Sequence, residues 1–391
     1  MGLPPASEQP WPPAAFSVVI AGAGVAGLET AAALRTLAGD RVAITLVAPE
    51  QEFVYRPLTP HQSFQYLVAP HVPLTEVADR LGVRLVTDRL AWVDRDERTV
   101  HTRSGSELAF DALVLAVGAA ARARYEHAVT VGDRSTAPLT QLVDELKAGQ
   151  VTRVAFIVPE RMAWPLPLYE VALMCAALSA EHDRGLQLTI VTAEWAPLQV
   201  FGESASAQMA DLLSQQGVET MCAARAEVPA PGRVVISPIH PPARHTAPLS
   251  RELGVDRVVA LPELFGPHVP GLPSAENGFL AVDAFCRVRG VAGIYAVGDA
   301  TAYPVKHGGI AAQQADVAAL SIAALAGAAV TPRPFHPTID GVLVTGGQPR
   351  HLSARLIGGE PFASEFTALA ADLTPAKIAA RYLAWPLGQA R

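Results

Sequence analysis

Cysteine is scarce, with Cys175, Cys222 and Cys286 the three thiols in 391 residues. Three thiols cannot build a disulfide framework, and a reducing, cytoplasmic setting fits that count best. No Cys-x-x-Cys or Cys-x-x-x-x-Cys pair occurs, which removes both a disulfide-exchange centre and a thiolate zinc site as readings. His61, His71, His240, His245 and His307 show no metal-ligand spacing, so no metal is expected. Charge is also sparse: 17% of residues are charged, with 30 Lys+Arg against 37 Asp+Glu and a net charge of -7. Without a basic run the chain lacks the electrostatic footprint for a phosphate backbone, and nucleic acid is not an expected partner. Pro4, Pro5, Pro10, Pro12 and Pro13 stand where a signal peptide would carry positive charge, and residues 1–15 are expected to form a loose arm. The most apolar stretch, Val18 to Leu37, is interrupted by Gly22, Gly24, Gly27, Glu29 and Arg35, so it reads as strand, turn and helix, not as a membrane span.

Core material, by contrast, is plentiful, since 50% of residues are hydrophobic. The length suggests two or three units. Val18, Val19 and Ile20 form the short apolar run of a strand buried on both faces. A helical pattern over Val25–Leu37 and a strand over Val42–Val47 follow. That order is a parallel α/β unit. Val83–Thr87, Leu90–Val93 and Asp111–Val117 are further strand candidates, and Thr136–Ala148 reads as a helix. A degenerate second copy then begins, with a strand over Val154–Val158, a helix over Leu168–Ala180, and Leu188–Glu194 echoing Ile44–Glu50. Arg257–Pro262 echoes Leu113–Val117, and Gly278–Gly298 leads back to the first unit. An alanine-rich helix is expected from about Gly309 to Leu325. Beyond it, Ile339–Thr345 reads as a strand and Thr374–Leu387 as a docking helix with Ile378, Tyr382, Leu383 and Trp385 on one side.

Gly22-Ala23-Gly24-Val25-Ala26-Gly27 falls between a strand and a helix, the context in which this spacing carries weight. Gly22 permits a tight turn, Gly24 lets backbone approach a pyrophosphate, and Gly27 lets the helix lie close to the sheet. Val25 and Ala26 supply N–H groups at the helix start. The acid that usually closes the second strand is displaced, with Ala48 after Val47 and Glu50 two positions later. Glu29, in the first turns of the helix, is favoured there by the helix dipole and is also within the range of a ribose contact.

A second diagnostic segment is Gly293-Ile294-Tyr295-Ala296-Val297-Gly298-Asp299-Ala300, a strand ending in Gly-Asp. With the glycine loop, it makes the chain resemble the two-dinucleotide-domain flavoproteins of the pyridine nucleotide-disulfide oxidoreductase superfamily. Within them it is most similar to the branch of sulfide:quinone oxidoreductases and type II NADH dehydrogenases. The resemblance covers roughly residues 17–330 and implies two tandem Rossmann-like, glutathione-reductase-type domains, the first discontinuous. It also implies FAD as cofactor, with Gly298 and Asp299 at the flavin ribitol and Ala116, Val117 and Gly118 on the second FAD strand. Phe53–Leu58 resembles the run after the branch's second strand, which puts Arg56 within reach of the cofactor. Lys306-His307-Gly308-Gly309 precedes the long helix. Lys306 and the N–H groups around Gly309 are thereby expected at the flavin pyrimidine edge, where they would stabilise reduced flavin.

The implied organisation is an FAD-binding domain over 16–125 and 273–330, a second Rossmann-like domain over 126–272, and a C-terminal region over 331–391. The second domain departs from NADH-using relatives. Its turn, Pro159-Glu160-Arg161-Met162-Ala163-Trp164-Pro165-Leu166-Pro167, is longer than the first, contains prolines without N–H groups, and carries bulk at Met162 and Trp164. Glu194, after the second strand, is the one feature that favours a nicotinamide ribose. The thiols do not match the paired cysteines that sulfide oxidation uses. Trp164 and Tyr169 are expected to line a substrate pocket, with Lys306 as the third catalytic candidate.

The expected function is an FAD-dependent oxidoreductase passing electrons from a small reductant to a quinone-like acceptor. An NAD(P)H dehydrogenase and a non-catalytic FAD-binding sensor are the alternatives. Lys377, Arg381, Tyr382 and Trp385 offer the cation and aromatic mixture of a peripheral membrane contact at the inner face, and a homodimer is a further expected association.

Overall fold

Val18, Val19 and Ile20 are at most 1% exposed, as an apolar run covered on both faces of a sheet must be. They belong to β1 (Phe16–Ala21), which is followed by α1 (Val25–Ala38), β2 (Val42–Val47), β3 (Arg84–Val86) and β4 (Ala112–Leu115). The computed structural model describes residues 15–132, 135–162, 164–182, 185–239, 250–357, 359–369 and 377–383. The expected N-terminal arm therefore lies outside the described residues, apart from Ala15.

The second lobe comprises β5 (Val129–Thr130), α2 (Ala137–Ala148), β6 (Arg153–Val158), α3 (Leu166–Glu181), β7 (Gln187–Thr192), α4 (Glu203–Gln215), β8 (Val218–Met221) and β9 (Arg257–Ala260). The chain then returns through β10 (Ile294–Ala296) to α5 (Gly308–Leu325). The first sheet is ordered β10-β4-β1-β2-β3 and the second β5-β9-β6-β7-β8. Both have the same plan, with β6 in the place of β1 and β7 in the place of β2. The pairing is parallel in each, Val18 facing Ile44 and Val154 facing Leu188. Because β10 pairs with β4, the first sheet is discontinuous in sequence. The fold is α/β with two Rossmann-like units.

The C-terminal region holds more sheet than expected. β11 (Thr338–Leu343), β12 (Arg350–Ile357) and β13 (Glu360–Ala368) form an antiparallel three-stranded sheet. Along β12, Leu352, Ala354 and Leu356 are buried while Arg355 and Ile357 are exposed, the period of two that marks a half-covered strand. The buried face joins the core of the second lobe, packing with Leu166, Leu198 and Phe201.

The docking helix expected over Thr374–Leu387 does not form where the chain is described. Residues 377–383 run as bends. The N–H groups of Arg381 and Tyr382 are donated to Glu29 Oε1, at 2.7 and 2.8 Å, not to carbonyls one turn earlier. Thr374, Pro375, Trp385 and Leu387 lie outside the described residues. Lys377 is also withdrawn from any interfacial set, being 5% exposed.

Lys377 instead ties the tail to the second lobe. Its Nζ donates to Glu170 Oε1 and, at 2.6 Å, to the Val342 carbonyl. Glu170, on α3, also accepts the Val344 N–H at 2.7 Å, and His61 Nε2 lies 3.3 Å from its second oxygen. Burial opposes the charge, yet Lys377 and His61 hold the Glu170 carboxyl below its ordinary range. Removing one member leaves a buried charge unmatched. Lys377→Met should therefore lower unfolding stability by about 3–5 kcal/mol, and Lys377→Met with Glu170→Leu should lose less than the single change. Chemical denaturation of the three proteins checks this; a double variant as weak as the single would contradict it.

Candidate functional site

Four segments meet at the carboxyl ends of the first sheet, between β1 and β4, where strand order reverses and α/β folds bind nucleotides. Gly22 continues β1, Glu50 follows β2, Ala116 to Gly118 continue β4, and Gly298 and Asp299 follow β10. Hydrogen bonds lock these ends together, from Gly22 N to Val47 O at 2.8 Å, Ala116 N to Ala21 O at 2.8 Å, and Val297 N to Leu115 O at 3.0 Å.

The three loop glycines have different causes. Gly22 has φ +107°, and a Cβ there would sit 2.2 Å from the Ala116 carbonyl oxygen. A Cβ on Gly27 would sit 1.9 Å from the Gly22 oxygen, so both positions are closed by the protein itself. Gly24 is the N-cap of α1 and is exposed, and nothing lies within 4 Å of where its Cβ would be. That open position stands before Val25, Ala26 and Gly27, whose N–H groups have no carbonyl partner within the helix. The cradle matches a pyrophosphate in sterics and in charge.

Across the cradle, Asp299 is half-buried. Burial pushes its carboxyl above the ordinary range, with Lys306 and Arg56 opposing the shift. The structure thus brings Arg56, Asp299 and Lys306 into one electrostatic group. Lys306 Nζ donates to the Thr301 carbonyl and lies 4.1 Å from the centre of the Phe279 ring. Burial lowers its pKa to about 8 against the pull of Asp299. Gly298 N donates to Gln314 Oε1 at 2.7 Å, pinning the Gly-Asp turn to α5. Gly309 lies in the first turn of α5, and Glu50 is exposed beside the cradle.

The corresponding edge of the second lobe is filled. Pro165 caps α3 and Pro167 lies in its first turn, removing donors that a phosphate would need. Trp164 packs on Phe201, with ring centres 5.6 Å apart, and on His307, at 4.4 Å. Trp164 is therefore the link from the second-lobe turn to the entry of α5, next to Lys306. β11 lies against the start of α3, where a Cβ on Gly341 would come 4.0 Å from Leu166 Cδ2.

Tyr169 is placed differently from its expected pocket role. It is fully buried, and its hydroxyl donates to Glu194 Oε2 at 2.7 Å. Thr192 Oγ1 donates to the same oxygen at 2.9 Å. Burial raises the Glu194 carboxyl to about 7 despite these bonds. The acid expected to favour a ribose is thus turned toward Tyr169 and Thr192, and Tyr169 is its internal partner, not a pocket wall. Glu29 likewise serves the tail, not a ribose.

The thiols are inert by position. Cys175 and Cys286 are buried in different lobes, and all three cysteines are unpaired. Burial pushes Cys222 up to about 11 and Cys286 to about 12, the wrong direction for a nucleophile. Among the described residues no cluster of His, Cys, Asp and Glu could hold a metal ion, and no helix is long and apolar enough to cross a membrane. Sequence reasoning missed the buried group of Glu170, Lys377 and His61, whose only local signal was an acid and a lysine within apolar surroundings.

A phosphate cradle at the switch point of a parallel sheet, facing a Gly-Asp turn and a cationic helix entry, defines an FAD-dependent oxidoreductase. The chain belongs to the pyridine nucleotide-disulphide oxidoreductase family, whose model matches residues 16–146 and 170–319. It is 30% identical over 164 residues to the sulfide-quinone reductase of Aquifex aeolicus (strain VF5), an alignment spanning 40% of this chain and 38% of that protein. The solved sulfide:quinone oxidoreductase of Aquifex aeolicus shares the fold with a TM-score of 0.78 at 20% identity, over 90% of this chain and 87% of that one. NDH2 from Plasmodium falciparum shares it with a TM-score of 0.57 at 15% identity, over 74% and 64%.

The glycines give a paired prediction. Gly24→Val should lower the flavin-to-protein absorbance ratio of the purified protein while changing the stability of the cofactor-free chain by no more than about 0.5 kcal/mol. Gly27→Ala should instead destabilise the cofactor-free chain by about 1–3 kcal/mol through overpacking. Equal flavin content in Gly24→Val and the parent protein would refute the cradle.

Proposed function

We propose that the chain passes electrons from a small reductant other than a pyridine nucleotide, through FAD, to a quinone-like acceptor. The observation that carries this reading is the second-lobe edge, where Pro165, Pro167, Trp164 and β11 occupy the place a nicotinamide dinucleotide would need. Glu194, held inward by Tyr169 and Thr192, supports the same conclusion. The high pKa values of the thiols argue against attack on sulfide by a cysteine pair. The quinone-like acceptor is inferred from the Aquifex aeolicus relatives, which are named for quinone reduction.

FAD, when bound, supplies a reversible two-electron carrier. Gly24 and the N–H groups of Val25 and Ala26 would hold its pyrophosphate, and Asp299 would hold its ribitol. Arg56 and Lys306 balance the Asp299 charge. Lys306, together with the N-terminal N–H groups of α5 around Gly309, would supply positive potential to stabilise the reduced form of the bound flavin. Trp164, seated on His307, shapes the approach to that end of the site and keeps water from it.

Rapid mixing tests the reading directly. NADH and NADPH should leave the flavin absorbance of the holoprotein unchanged on the timescale of turnover, and the photoreduced holoprotein should be reoxidised promptly by a soluble quinone. Fast bleaching by either nicotinamide would overturn the proposed donor class. Lys306→Met should keep its FAD and slow flavin reduction by on the order of 10²-fold, as loss of one charge-stabilising donor does. An unchanged rate would remove Lys306 from the electron-transfer role.

A further inference from the structure

Two carboxyl groups meet between the helices that carry the cofactor site. Glu29 is on α1 and Asp316 on α5. Glu29 is fully buried, and its Oε1 is occupied by the N–H groups of Arg381 and Tyr382. Its other oxygen, Oε2, and Asp316 Oδ1 are buried without any hydrogen-bond donor from the protein. Two ionised carboxylates cannot share such a site, because neither supplies a donor and their charges repel.

We propose that Glu29 and Asp316 share one proton, and that the protonated pair is a pH-sensitive clasp holding residues 377–383 on the first lobe. The groups that act on it come from all three packed elements. Glu29 comes from α1, Asp316 from α5, and Arg381 and Tyr382 from the tail, with the Arg381 guanidinium 5.3 Å from the centre of the Tyr382 ring. Burial, then the Glu29 charge, pushes Asp316 up to about 8, with Arg381 opposing. Burial raises Glu29 as well, opposed by the Tyr382 N–H, by contact with the Asp316 carboxyl, and by the Arg381 and Leu383 N–H groups.

What the clasp holds bears on the cofactor site. Ile378 is packed against Gly308 at the first turn of α5, so closely that a Cβ there would sit 2.2 Å from Ile378 Cδ1. Lys377, one residue earlier, reaches the second lobe at Glu170. The tail therefore joins both lobes beside the helix entry that Lys306 precedes, and its release would loosen that junction.

The sign follows from proton linkage. With the tail detached, both carboxyls meet water and ionise in the ordinary acidic range. With it docked, the pair keeps its proton until about pH 8. Opening thus releases one proton across that interval, and the open fraction rises with pH.

Hydrogen exchange on the FAD-loaded protein, corrected for intrinsic rates, measures this opening. Protection of the peptide spanning residues 377–383 should fall roughly tenfold per pH unit between about pH 5 and about pH 8, then level off. Amides of β1, read in the same samples, should show no such slope. Asp316→Asn, which supplies a fixed donor, and Glu29→Gln should each abolish the slope, and either variant suffices if the other fails to fold. A flat profile in the parent protein, a slope that persists in the variants, or the same slope in β1 would overturn the clasp.

Discussion

At the start of α1 the backbone N–H groups have no partner within the helix, and the chain leaves them reachable because position 24 carries no side chain and nothing occupies its surroundings. The rest of the site is arranged around that opening. Gly22 and Gly27 let the loop and helix press against the sheet so that the donors point outward. The ends of β4 and β10 then bring Ala116 to Gly118 and Asp299 to the same edge. An anionic pyrophosphate would satisfy what the helix start lacks.

The second lobe keeps the strand order and loses the opening. Its turn is closed by proline at the helix start, by Trp164 against Phe201 and His307, and by a sheet added at the C-terminal end. Glu194, which stands where an exposed acid would recognise a ribose, is consumed by Tyr169 and Thr192. The duplicated lobe has become a wall and an anchor. It contacts the entry of α5 through Trp164 and receives the tail through Lys377.

Much of this was legible in the chain. Buried parallel strands have no polar alternation to obscure them, so Val18–Ile20 and Val154–Val158 announce themselves, and glycine spacing reports a backbone approach that no other residue allows. The prolines of the second turn are equally direct, since a missing N–H is a property of the residue. What escaped was long-range. The spacing of Ile378, Tyr382 and Leu383 suits a helix, but Glu29, some 350 residues earlier in sequence, takes the N–H groups that the helix would need. Tyr169 reads as a pocket residue until its hydroxyl is found on Glu194. β12 shows the alternation of a strand, yet β13 is largely exposed and its pattern is set by pairing with β12 more than by burial.

On the proposed reading the first lobe holds one flavin nucleotide and the second holds none of the nicotinamide type. Calorimetric titration of the flavin-stripped chain measures both at once. One FAD should bind per chain, with no saturable heat from NADH or NADPH before or after FAD is added. A chain that binds no FAD, or one that also takes up a nicotinamide dinucleotide at a second saturable site, would contradict it.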